Sequence, residues 1–196
     1  MPVPDLRKKL EDALTQPGGA SSDFDLNADV KIPELELTPA AVLLGIRAET
    51  QTVILTKRSA RLKHHPGQIA FPGGKQDPTD PTLTDAALRE AHEEIGLPKH
   101  IVDVLGHLPP HQTVTGYQVT PVLALVHGDY DAIPEAGEVS EVFEVPLAHL
   151  LDRANYLIEG RRWQGRRRLY YTVPFGPYYI WGATARMLRA FAERMA

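Results

Sequence analysis

Glu90, Glu93 and Glu94 fall at helical spacing just after a Phe71-Pro72-Gly73-Gly74 turn. At about 100° per residue the three carboxylates share one helix face. Leu88, Ala91 and Ile95 fall on another face, which can pack against a core. Like charges at i and i+4 cost an isolated helix about 0.2–0.5 kcal/mol per pair, so the cluster calls for a compensating cation. Oxygen-only ligation is what a hard divalent ion such as Mg²⁺ prefers. Glu90 and Glu94 are the first-choice ligands and Glu93 the third. The backbone carbonyl of Gly74 can complete the shell, because glycine lets the chain approach closely. A divalent ion held there can neutralise negative charge on a bound group and acidify a bound water. The attacking water needs a base, and Glu93 or a loop carboxylate, Glu138 or Glu141, is the candidate. Arg89 is spaced to pair with Glu93 at i+4 and orient it.

Several elements must position these groups. Leu6, Leu10 and Leu14 mark an amphipathic helix over Asp5–Leu14, and the Gly-, Ser- and Asp-rich stretch Gln16–Asp29 reads as a linker or surface loop. Ala40–Ile46 and Thr52–Thr56 are apolar strands around a polar turn, a hairpin signal. Arg58–Lys75 is irregular, with His, Pro and Gly punctuation, and is the expected active-site loop. The helix Thr84–Ile95 has Thr84 as its expected N-cap and Gly96 at C′. Further strands are expected at Ile101–Gly106, Val119–Val126, Val142–Val145, Arg166–Val173 and Tyr178–Ile180. Helices are expected at Leu147–Arg153 and Gly182–Met195. Strands and helices intermix without βαβ alternation, so the class is α+β, a mixed sheet flanked by helices.

The 196 residues suit one well-packed domain. Residues 1–37 would form an N-terminal helix and linker packed on a domain spanning 38–196. Hydrophobic residues make up 43% and charged residues 23%, with mean hydropathy −0.24. The absence of cysteine excludes thiolate catalysis, disulfides and zinc–thiolate sites. Neither a signal-peptide profile nor a long apolar run is present, so a cytoplasmic protein with no membrane partner is expected. A formal net charge of −4 argues against a nucleic-acid partner. The basic run Arg161–Arg168, with Trp163, Tyr170 and Tyr171 around it, therefore reads as a solvated hairpin, though an adenine could stack on Trp163 or Tyr170. His64, His65 and His111 show no metal-ligand spacing and read as surface or substrate-loop histidines. Asp77 reads as an Asx-turn residue. Lys57, Arg58, Arg61 and Lys63 form a basic segment just before the catalytic turn, suited to phosphate oxygens.

The run from Gly74 through Asp80 to Arg89-Glu90-Ala91-His92-Glu93-Glu94-Ile95-Gly96-Leu97 resembles the Nudix box. Asp80 stands where that pattern has Glu, and the gap to Arg89 is one residue longer. A second stretch, Ile54-Leu55-Thr56-Lys57-Arg58-Ser59 with Lys63, Gly67 and Phe71-Pro72-Gly73-Gly74, resembles the extra signature of coenzyme A pyrophosphatases within that superfamily. Ile54 replaces a Leu and Lys63 an Arg, while every spacing fits. Ile180–Ala185 resembles the same group's C-terminal segment. The resemblance implies an α/β/α sandwich and Mg²⁺- or Mn²⁺-dependent cleavage of coenzyme A (CoA) to 3′,5′-ADP and 4′-phosphopantetheine. Its site would use Glu90, Glu93, Glu94, Arg89 and Glu141 in catalysis. Arg58, Lys63, Lys57 and Gly67 would serve the small-molecule substrate. The alternatives are a Nudix pyrophosphatase for ADP-ribose, NADH or nucleoside triphosphates, and a non-catalytic nucleotide-binding module. The oligomeric state is left open.

Overall fold

The computed structural model describes residues 1–27, 30, 36–163 and 165–196, with only the backbone of Trp163 and Arg166. In chain order the elements begin with α1 (Val3–Thr15), β1 (Ser21–Ser22), β2 (Thr38–Arg47), β3 (Thr52–Arg58), β4 (Ile69–Ala70), β5 (Gly73–Lys75) and α2 (Leu83–Ile95). Then follow β6 (Val102–His107), β7 (His111–Gln112), β8 (Tyr117–Val126), β9 (Val139–Pro146), α3 (Leu147–Leu151), β10 (Leu157–Trp163), β11 (Arg166–Thr172) and α4 (Gly182–Arg194).

Side-chain alternation in β2, β3 and β8 sets the layers, because successive residues point to opposite faces of a sheet. Leu43, Ile54, Val122, Ala124 and Val126 face α2, meeting Ala86, Ala87, Ala91 and Ile95. Leu44, Ile46, Val53, Leu55, Leu123 and Leu125 face the other layer, with Leu6 and Leu10 of α1 and Leu188 and Phe191 of α4. Both faces are covered, so these strands read as near-continuous apolar runs. The result is the expected α+β sandwich, with a mixed sheet between helices.

β2 and β8 run parallel from Thr38↔Tyr117 to Arg47↔Val126, while β3 pairs antiparallel with β9. The expected β2–β3 hairpin forms only at its turn, at Ile46↔Val53. Beyond that point the strands diverge, and β5 pairs with β2 while β4 pairs with β3. The divergence opens the sheet where the Phe-Pro-Gly-Gly turn sits.

Some expectations need correction. The stretch read as a linker contributes β1, parallel to β7. There His111 is fully buried between Ser21 Oγ (2.9 Å) and Asp23 Oδ1 (3.1 Å), far from a substrate-loop role. Ala28 and Asp29 of that stretch lie outside the described residues. Tyr178–Ile180 is not a strand: Tyr178 closes a tight turn over Gly176 and Pro177 through the Phe175↔Tyr178 bridge, and Tyr179 and Ile180 follow it as irregular chain. The helix at 147 ends at Leu151, followed by a 3₁₀ turn at Arg153–Asn155 that the Asp152 carboxylate caps. The basic stretch forms the expected hairpin, β10–β11.

Candidate active site

β5 lies against β2 with Gly73 opposite Val42 and Gly74 opposite Ala41. At Gly73, φ is +151° and a Cβ would stand 2.4 Å from the Ala41 carbonyl oxygen, so only glycine fits. At Gly74 a Cβ would meet Glu90 Oε1 at 2.6 Å. The glutamate fills the space that the missing side chain leaves.

α2 delivers the acids. Its N-cap is Thr82, not Thr84: Thr82 has the extended backbone of a cap and its hydroxyl accepts from Asp85 N–H at 3.2 Å. The Thr84 hydroxyl is bonded to His107 Nε2 instead, at 2.7 Å. Gly96 ends the helix as expected, left-handed at φ 69°. Glu94 is 4% exposed and accepts from Gly73 N–H at 3.0 Å. Burial pushes its carboxyl up to about 7; Gly73 N–H and Arg58 oppose the shift, while Glu90 and Glu138 add to it. Glu90 is also shifted upward, first by burial and then by Glu93 and Glu138, against Arg89. Glu93 stands at the rim, its side chain 57% exposed.

Arg89 is the hub. Its Nε and Nη2 each donate at 2.9 Å to the two oxygens of Asp80, a fork-to-fork pair. Nη1 reaches Glu93 Oε2 at 2.9 Å, the expected i+4 pair, and Glu90 Oε1 at 3.1 Å. Asp80 is buried, and Arg89 holds its carboxyl below the usual range. Asp77 makes the expected Asx turn, accepting from Thr79 N–H at 3.1 Å.

On the opposite wall a β-bulge shifts the register between Lys57 and Arg58, so that Ser140 of β9 is the extra residue. The Arg58 Nε is buried with no acceptor among the described residues, and the Arg58 charge bears on both Glu94 and His65, lowering each. Gly67 N–H donates to Arg58 O at 3.1 Å. Lys57 and Gly67 line a cavity of about 440 Å³ with His65, Arg161, Tyr178, Tyr179 and Trp181. Lys63 is exposed and does not line it. Glu141 accepts from the Tyr178 hydroxyl. Glu138 sits in a loop held by Glu135 Oε2, which accepts from Gly137 N–H and Glu138 N–H at 2.8 Å each.

Residues 36–166 match the NUDIX domain family. The uncharacterized Nudix hydrolase NudL of Enterobacter sp. (strain 638) is 42% identical over 154 residues, covering 78% of this chain and 80% of that protein. The NudL of Pectobacterium atrosepticum is 40% identical over 185 residues, 88% of this chain and 96% of the relative. The chain belongs to the Nudix hydrolase family. The fold agrees: a MutT protein from Methanosarcina mazei Go1 superposes with TM-score 0.54 at 20% identity, over 83% of this chain and 96% of that one.

The Nudix helix thus brings Glu90 and Glu94 to the Gly73–Gly74 turn and leaves Glu93 outside, tied to Arg89. Among the described residues no three acids or histidines converge as a ready metal cluster. The donor chemistry still fits a hard divalent ion: two neighbouring carboxylates, half-buried and buried, are both shifted upward first by burial, with Glu90 adding to the shift at Glu94. A bound cation reverses both effects. Sequence reasoning missed the role of Asp80, although its place in the box and the nearby Arg89 were the signal. It also missed the aromatic wall of the cavity, whose signal was the run Tyr178-Tyr179-Ile180-Trp181.

Proposed function

We propose that this Nudix hydrolase cleaves the diphosphate of coenzyme A, giving 3′,5′-ADP and 4′-phosphopantetheine, with Mg²⁺ or Mn²⁺. One observation carries the reading. Positions that resemble the coenzyme A signature touch both the acids and the cationic cavity: Gly73 N–H donates to Glu94 at 3.0 Å, and Gly67, which lines the cavity, donates its N–H to the Arg58 carbonyl. Glu90 and Glu94 would hold the ion, with Glu93 and the Gly74 backbone at its edge. When bound, that ion neutralises diphosphate oxygens and acidifies water. The Arg58 guanidinium, whose buried Nε has no acceptor among the described residues, receives diphosphate oxygens. Arg89, fixed by Asp80, orients Glu93 and Glu90.

Glu138 is the preferred base among the candidates. Its charge reaches both Glu90 and Glu94, whereas Glu141 is engaged by Tyr178 and Glu93 by Arg89. It takes the proton as the water oxygen bonds to phosphorus and the phosphoanhydride oxygen leaves.

The deciding measurement is product analysis with CoA, dephospho-CoA, ADP-ribose, NADH and dNTPs side by side in Mg²⁺. CoA is expected to lead ADP-ribose by at least about tenfold in kcat/KM, ~1.4 kcal/mol of transition-state preference. Equal turnover of the two would sink the assignment. Glu94→Gln should lose activity by orders of magnitude while remaining folded, and Glu138→Gln roughly 10²-fold or more. If the parent hydrolyses no diphosphate at all, a nucleotide-binding module replaces the enzyme.

A further inference from the structure

The cavity beside Arg58 has more positive charge than a diphosphate requires. Lys57 and Arg161 bring it two positive charges, and among the described residues no carboxylate lines it; His65, which burial and then Arg58 hold below the usual imidazole range, adds a neutral ring. Two carboxylates bond to the hydroxyls of its tyrosines: Glu141 accepts from the Tyr178 hydroxyl, and Glu159 from the Tyr179 hydroxyl at 2.8 Å. Its aromatic rings are held in place. Tyr178 stacks on Phe143 with centroids 3.6 Å apart and planes 8° apart, and Trp181 takes Tyr170 edge-on at 5.2 Å. The Arg161 guanidinium lies 4.4 Å from the Trp181 ring centroid, a stacked arrangement that leaves its N–H edges free for an oxyanion. His65 is held at the rim with φ 55°, a left-handed conformation uncommon outside glycine. The volume, about 440 Å³, falls in the range of small-molecule sites.

We infer that this cavity receives the phosphorylated nucleoside end of the substrate. The purine lies against Trp181 and Tyr179, and a phosphomonoester separate from the scissile diphosphate lies among Lys57, His65 and Arg161. The inference rests on the coenzyme A reading and makes the cavity the place where CoA is told from dephospho-CoA and from ADP-ribose. An uncharged pantetheine arm offers nothing to these cations and belongs on the other side of the diphosphate.

Equilibrium binding to the full chain, without metal and without turnover, separates the subsite from the substrate assignment. Adenosine 3′,5′-bisphosphate is expected to bind at least tenfold tighter than 5′-AMP. Arg161→Ala should erase that gap, and Arg162→Ala, the next residue on β10 with its side chain on the opposite face, should keep it. With CoA and dephospho-CoA as substrates, Arg161→Ala should lower the ratio of their kcat/KM values tenfold. A gap that survives Arg161→Ala overturns the subsite, as does an equal loss for both nucleotides. So does an Arg161-dependent competition by 4′-phosphopantetheine in place of the nucleotide. If CoA is not hydrolysed but the Arg161-dependent gap is present, the subsite stands and the substrate assignment falls.

Discussion

Glu94 carries the strongest single-residue consequence. Its carboxyl, ordinarily near 4.5, is pushed up to about 7 in the folded chain, first by burial. Between those values the native state binds the extra proton, so stability of the metal-free protein is full below 4.5 and falls as pH rises through 7. The difference amounts to ~3 kcal/mol at most. Glu90 shifts in the same direction, so the comparison must isolate Glu94. Denaturant unfolding in chelator at pH 5 and pH 8 should show wild type losing this stability while Glu94→Gln does not. Mg²⁺ at pH 8 should return it to the wild type alone. Parallel pH curves for the two proteins would mean the carboxylate is solvated. The glutamates and their glycine turn were legible in the sequence because helix period and turn chemistry are local. Asp80 was not, because its bond to Arg89 closes a loop whose shape local rules leave open.

At the scale of elements, the site exists because β2 and β3 part beyond Ile46↔Val53 and β5 enters the gap. Local pattern showed both strands and the turn between them, but not the divergence, which depends on β8 and β9 claiming their outer edges. The N-cap slipped for a similar reason: Thr82 and Thr84 are equal as caps until the chain's entry direction from Asp80 is known. β5 and α2 meet at Gly74, where an added Cβ would collide with the Glu90 carboxylate and not with backbone. Gly74→Ala should therefore fold, with a stability change within about 1 kcal/mol. It should also swing Glu90 away and weaken Mg²⁺ roughly 10- to 100-fold, the usual effect of disturbing a ligand's support. Calorimetric titration of Mg²⁺ checks this. Unchanged affinity would remove Glu90 from the ligand set.

For the whole molecule, the family match spans 36–166, yet the core does not respect that limit. Leu6 and Leu10 of α1 and Leu188 and Phe191 of α4 share one buried cluster with Leu44, Leu55 and Leu123 of the central strands. Polar ties run alongside. Arg194 donates to the carbonyls of Gln16 (2.6 Å) and Gly18 (2.8 Å), Arg186 pairs with Asp25 at 2.7 Å, and His111 locks Ser21 and Asp23. The helical period picked out the leucines of α1, but periodicity names a buried stripe without naming its cover. The expected boundary at residue 37 follows the motif, and α1 before it shares its buried cluster with α4 and the central strands. Leu10 is fully buried, so Leu10→Ala should cost about 2–5 kcal/mol of global stability. Because α1 packs on the sheet face opposite α2, kcat well below the melting point should be unchanged. Calorimetry decides between the two descriptions: an integral unit melts in one transition moved down in temperature. A detachable appendage would melt in an early, separate step, leaving the main transition where the wild type has it.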